Sequence, residues 1–111
     1  MIITSIEELA NECEEIQEIL QMPFDDNPVV AQQRGDALFA YLARTGKMYS
    51  DAKYHLACKG RSEDRKIEQL LVDWTDRLNN ICGRQLEWCR TVVSKSKVEL
   101  QLNARPGKEF R

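Results

Sequence analysis

The sequence predicts an all-α protein: a short N-terminal helix, then one long antiparallel helical hairpin, three helices in a single self-associating domain. Three observations carry that expectation. Apolar residues recur at three- and four-residue spacing through three separate stretches. Turn-forming residues divide those stretches at two places, Met22-Pro23 to Asn27-Pro28 and Lys59-Gly60-Arg61-Ser62. The stretches also differ greatly in length, and this dictates how they pack.

The first helix is expected to start at Ser5, since Ser5 followed by Glu8 reads as a capping box. Ile6, Leu9, Cys13, Ile16 and Leu20 then form one apolar stripe that ends near Gln21. Asn27-Pro28 is a good helix start. From Pro28 to Lys59 the seam is Ala31, Gly35, Leu38, Leu42, Thr45, Tyr49, Ala52 and Leu56, small alternating with large. Gly46 lies off this seam, where the absence of a side chain would admit another backbone. Gly60 suits a helix end, and Ser62 before Glu63 and Asp64 suits an N-cap with acids in the first turn. The third helix is expected over 63–103, with the seam Ile67, Leu71, Trp74, Leu78, Ile81, Gln85, Trp88 and Val92. Gln85, its one polar member, reads as a register-fixing residue. Residues 1–103 make the domain, and 104–111 read as a flexible tail.

By helical rise the three helices are roughly 24, 48 and 60 Å long. The two long ones must pair antiparallel across the short turn. The first is expected to cover only the half of the hairpin away from that turn. Ile67, Leu70, Leu71, Trp74 and Met48 are then left short of cover near the tip, together with Tyr49 and Leu56. Two helices make a poor core, so a second copy is expected to cover them, and these residues form the predicted oligomer interface.

Of 111 residues, 42% are apolar and 31% charged, which suits a folded chain. The start lacks the basic residues and apolar run of a signal peptide, and no apolar stretch approaches a membrane helix. A cytoplasmic location is expected. Of the four cysteines, Cys82 and Cys89 lie about 10 Å apart along one helix, too far to bridge. Cys13 and Cys58 could meet only through tertiary packing. The pattern fits buried thiols in a reducing compartment. Charge is unevenly divided. Residues 1–33 hold eight acids and no Lys or Arg, so a net charge of −2 leaves +6 on residues 34–111. Acidic-on-basic packing within the fold, or two surfaces with different partners, would follow.

No catalytic constellation is present. The one histidine, His55, has Asp51 a helical turn before it and reads as a half-buried helix residue. No metal spacing occurs, and no cofactor is implied. Arg44-Thr45-Gly46-Lys47 falls mid-helix, where backbone amides are already bonded, so it is not a phosphate loop. The candidate ligand-binding residues are cations near aromatics: Arg44, Lys47, Tyr49 and Lys53 on the second helix, Arg77, Arg84 and Arg90 on the third. Charge for phosphate and a flat face for a base are what an anionic nucleotide or a single strand requires. Arg84 and Trp88 are spaced to stack, although both tryptophans suit the core better. Asp73, Asp76 and Glu87 interrupt the basic surface, and Asp73 can pair with Arg77.

The stretches Tyr41-Leu-Ala-Arg-Thr-Gly-Lys-Met-Tyr-Ser-Asp-Ala-Lys53 and Leu78-Asn-Asn-Ile-Cys-Gly-Arg-Gln-Leu-Glu-Trp-Cys-Arg90 resemble small helical proteins of phages and prophages. The resemblance covers residues 38–98 and includes no catalytic motif. It implies an early-region accessory or counter-defence protein in an infected or lysogenic bacterial cell, acting by stoichiometric binding. The expected target is a host or phage protein or a small anionic nucleotide-like ligand. An accessory of phage recombination or replication touching single-stranded nucleic acid is the alternative, and a purely structural helical oligomer is a third reading.

Overall fold

The structure, a computed structural model, describes residues 2–104. Three helices follow one another, α1 (Ile6–Leu20), α2 (Pro28–Cys58) and α3 (Lys66–Ala104), with no strand among the described residues. Each start has a local cause. Ser5 Oγ accepts the Glu8 amide at 3.2 Å, and Asn27 Oδ1 accepts those of Val29 and Val30. The third start differs from the expectation at Ser62. Residues 60–63 close their own turn, the Glu63 amide donating to Gly60 O and the Gly60 amide to Glu63 Oε1. With Glu63 spent on that turn, α3 begins only at Lys66, whose amide is held by Asp64 Oδ1 at 3.1 Å. The tail expected over 104–111 falls almost wholly on residues 105–111, which lie outside the described residues.

α2 and α3 form the hairpin. A methyl group at Gly35 would lie 3.4 Å from Cys89 Cβ, and Asn79 Nδ2 donates to Thr45 Oγ1 at 3.0 Å. In both pairs the residue numbers add to 124, which defines the register. Gly35 is therefore the glycine at the close approach; Gly46 sits in ordinary contact with the Asn79 amide. The seam is narrow because its residues are small: Ala31, Gly35, Thr45, Ala52, Thr75, Cys82 and Cys89 are all buried. Thr45 and Thr75 return their hydroxyls to carbonyls one turn back, so neither is left unsatisfied.

Core residues occupy two faces of each long helix, because each has two neighbours. On α3 the face toward α2 carries Leu71, Thr75, Leu78, Cys82, Leu86 and Cys89. Trp74, Ile81 and Gln85 of the expected seam belong instead to the α1-facing side, while Ile67 and Trp88 are exposed. On α2, Met48 is buried where Tyr49 was expected.

α1 runs antiparallel to α2 and sits nearer the tip than expected. Thr4, just before it, meets Asp51 and His55; Glu12 meets Arg44; and the Leu20 carbonyl meets Gln85. It thus covers the hairpin from about residue 52 down to about 39, the half beside the turn. The linker 21–27 is not a tight reversal but a length of chain running along the hairpin, pinned where Arg34 donates to the Pro23 carbonyl at 3.0 Å. This overturns the coverage argument for three interface candidates: Met48 and Leu71 are buried within the monomer, in the core cluster that includes Leu9, Cys13 and Ile16 of α1, and Trp74 is half-buried against that cluster and bonded to Gln17 of α1. Bare surface remains at Ile67 and Leu70, and at the opposite end. There Pro28 faces residue 96, and α3 runs on beyond α2, leaving Leu100, a continuation of the seam, exposed.

Candidate binding groove

The cations singled out from the sequence divide among different surroundings. Arg44 and Lys47 are structural. Arg44 donates through Nε and Nη2 to the two carboxylate oxygens of Glu12, and Nη2 also reaches Thr4 Oγ1 at 3.3 Å. The Glu12 hydrogen bonds hold its guanidinium charged above the usual range. Lys47 Nζ donates to both oxygens of Asp51, at 2.7 and 2.6 Å, and to the Ile2 carbonyl. Part of the acidic first helix therefore does pack on the basic second one. Burial alone would raise the Asp51 pKa; the Lys47 bonds and the Thr4 amide outweigh it and hold the carboxyl below its usual range. His55 Nε2 lies 2.6 Å from the Thr4 carbonyl, a half-buried helix residue with a structural partner. Lys53 Nζ stands 5.2 Å from the Tyr49 ring centroid, near the tip.

Arg77, Arg84 and Arg90 are exposed, with no ion-pair partner among the described residues. Asp73 accepts from Gln69 and not from Arg77. Trp88 stacks on Phe24 (centroids 4.5 Å apart, 47° between planes), not on Arg84, and Arg34 covers the Phe24 ring at 4.5 Å. Arg34 also donates to Gln85 Oε1, whose amide donates to the Leu20 carbonyl at 2.8 Å. Gln85 thus ties the end of α1 to α3 and, through Arg34, to the linker. Trp74 donates from Nε1 to Gln17 Oε1 at 2.7 Å and is fixed against α1.

On the face of the hairpin that α1 does not cover lies a groove of about 400 Å³, toward the end away from the turn. Gly35 and Ala31 form part of its floor, because side chains this small leave a channel between α2 and α3. Phe39 stands on one wall, 61% exposed. Arg90 and Lys97 stand on the other, and Gln32 and Asp36, hydrogen-bonded to each other at 3.1 Å, close the α2 rim. Residue 39 faces residue 85, so Arg90 and Lys97 lie on the order of 7 and 18 Å further along the groove. The volume is that of a small-molecule site, and the lining joins an exposed aromatic face to two cations and one anion.

Of the seven ligand residues expected, only Arg90 lines this groove. Arg77 and Arg84 lie on another face of α3, and Tyr49 and Lys53 are some 22 and 28 Å from Arg90 by helical rise. Sequence reasoning passed over Phe39, Gln32 and Asp36. The available signal was an aromatic beside the seam residue Leu38, one turn after Gly35, where a packed position would be redundant. No helix among the described residues is long and apolar enough to cross a membrane. No family model matches the chain, and no curated protein or solved structure matches it significantly.

Proposed function

We propose that the chain is a self-associating phage-type accessory protein that binds its target stoichiometrically, without chemistry, in the groove between α2 and α3. The observation that carries this reading is Phe39, an exposed aromatic on a shallow, preformed channel with Arg90 and Lys97 beyond it. A base or similar flat ring stacks on Phe39, an interaction worth about 1–3 kcal/mol. Arg90 and Lys97 meet the negative charge of a phosphate chain, at spacings that suit a nucleoside polyphosphate. Gln32 and Ser94 offer hydrogen bonds along the rim. Sequestration needs no nucleophile or general base, and its site would be in a bacterial cytoplasm.

Titration with adenosine and guanosine triphosphates tests this reading, with oligothymidylate alongside. One nucleotide should bind per chain, and Arg90→Glu with Lys97→Glu should abolish binding with helicity unchanged. Arg84→Glu with Lys95→Glu, on the other face of α3, should leave it intact. The reverse pattern, with oligothymidylate binding that weakens steeply with salt, would support the single-strand reading.

A further inference from the structure

The tip of the hairpin carries an apolar face with a definite charge pattern beside it. Ile67 and Leu70 are 61% and 60% exposed, on the first turns of α3. They continue the side of α3 on which Trp74 and Ile81 pack against the core, but α1 begins too late to reach them. Along one edge of the same face stand Lys66, Asp73 and Arg77, seven and four residues apart. Among the described residues none of the three has an ion-pair partner in its own chain.

We infer that a second copy covers this face, the two α3 helices lying antiparallel about a two-fold axis at Leu70. This rests on the self-association in the proposal above and specifies its geometry. With the axis at Leu70, residues whose numbers add to about 140 meet across the interface. Lys66 then faces Asp73 of the other copy. The symmetry repeats that pair on the other side of the axis. In an antiparallel pair the same edges of the two helices come together, as this pairing requires. A parallel two-fold arrangement would put the two edges on opposite sides of the interface, where Lys66 and Asp73 do not meet. The complementarity therefore selects both the occupant and its direction. Ile67 and Leu70 supply the apolar centre. A contact over fewer than three helical turns is small for a stable complex, so the dimer is expected to dissociate on dilution.

Sedimentation across a concentration series at low salt tests the arrangement. The unaltered protein should dimerise. Leu70→Glu, at an exposed position, should give a monomer with unchanged helicity and melting temperature. Lys66→Glu and Asp73→Lys should each weaken the dimer roughly tenfold, because each variant places like charges opposite one another twice. Mixed in equal amounts they should recover it, since the paired lysines of the Asp73→Lys chain meet the paired carboxylates of the Lys66→Glu chain. Failure of the mixture to recover would overturn the two-fold register. An oligomer indifferent to Leu70→Glu would overturn the tip interface while leaving self-association intact. A monomer at every concentration would overturn both.

Discussion

Asp51 is a carboxylate almost wholly out of water, and its partners explain why it is tolerated. Lys47 donates to both of its oxygens, and the Thr4 amide completes the set, so the charge is met on every side. Its folded pKa lies below the unfolded value of about 3.9. The stability it contributes is therefore complete above that unfolded value and is lost as pH falls through the folded one. Asp51→Asn should cost about 1–3 kcal/mol at pH 7, and thermal melts should show the difference closing in acid. The thiols divide just as sharply. Burial pushes Cys13 up to about 11 and raises Cys82 and Cys89, while Cys58 alone is exposed. A thiol-specific chromogenic reagent should modify one cysteine quickly in the native protein and four in denaturant. Rapid reaction of more than one would mean that α1 does not stay docked.

At the scale of elements, α1 holds the fold together. It contributes Leu9, Cys13, Ile16 and Leu20 to the core, and without it Met48 and Leu71 would face water. Leu9→Ala should destabilise by about 2–5 kcal/mol in denaturant melts. Trp74→Phe, which deletes the bond to Gln17 and keeps most of the packing, should cost about 1 kcal/mol. The three helices, their lengths and the caps at Ser5 and Asn27 were legible because each rests on local chemistry and spacing. The docking position of α1 was not. Residues 21–27 are compatible with a tight reversal or an extended run, and only the long-range bonds of Arg34, Gln85 and Arg44 decide between them. The two faces of α3 were read as one seam for a related reason. Leu71 and Leu78 serve both neighbours, so spacing alone does not separate the line through Trp74 and Ile81 from the line through Thr75 and Cys82. The cations show the same limit. Their number could be counted in the sequence, but Arg44 and Lys47 were removed from any binding role by partners dozens of residues away.

At the scale of the molecule, the chain is a rod, 76 Å long and about 20 Å across. A rod has a small interior for its surface and little room for an enclosed site, so binding falls to open faces. The α1 side of the hairpin is closed over most of the tip half. The opposite side stays open, and there the small residues that let α2 and α3 approach also create the groove beside Phe39. The two proposed contacts use separate ends, self-association near the turn and ligand near the open end, so each should survive loss of the other. Native mass spectrometry of the protein incubated with mixed nucleoside triphosphates tests the central claim most directly. An assembly retaining one nucleotide per chain, and losing it with Arg90→Glu and Lys97→Glu, is the predicted result. A protein that retains none, or retains it equally in that variant, would contradict the groove as the binding site.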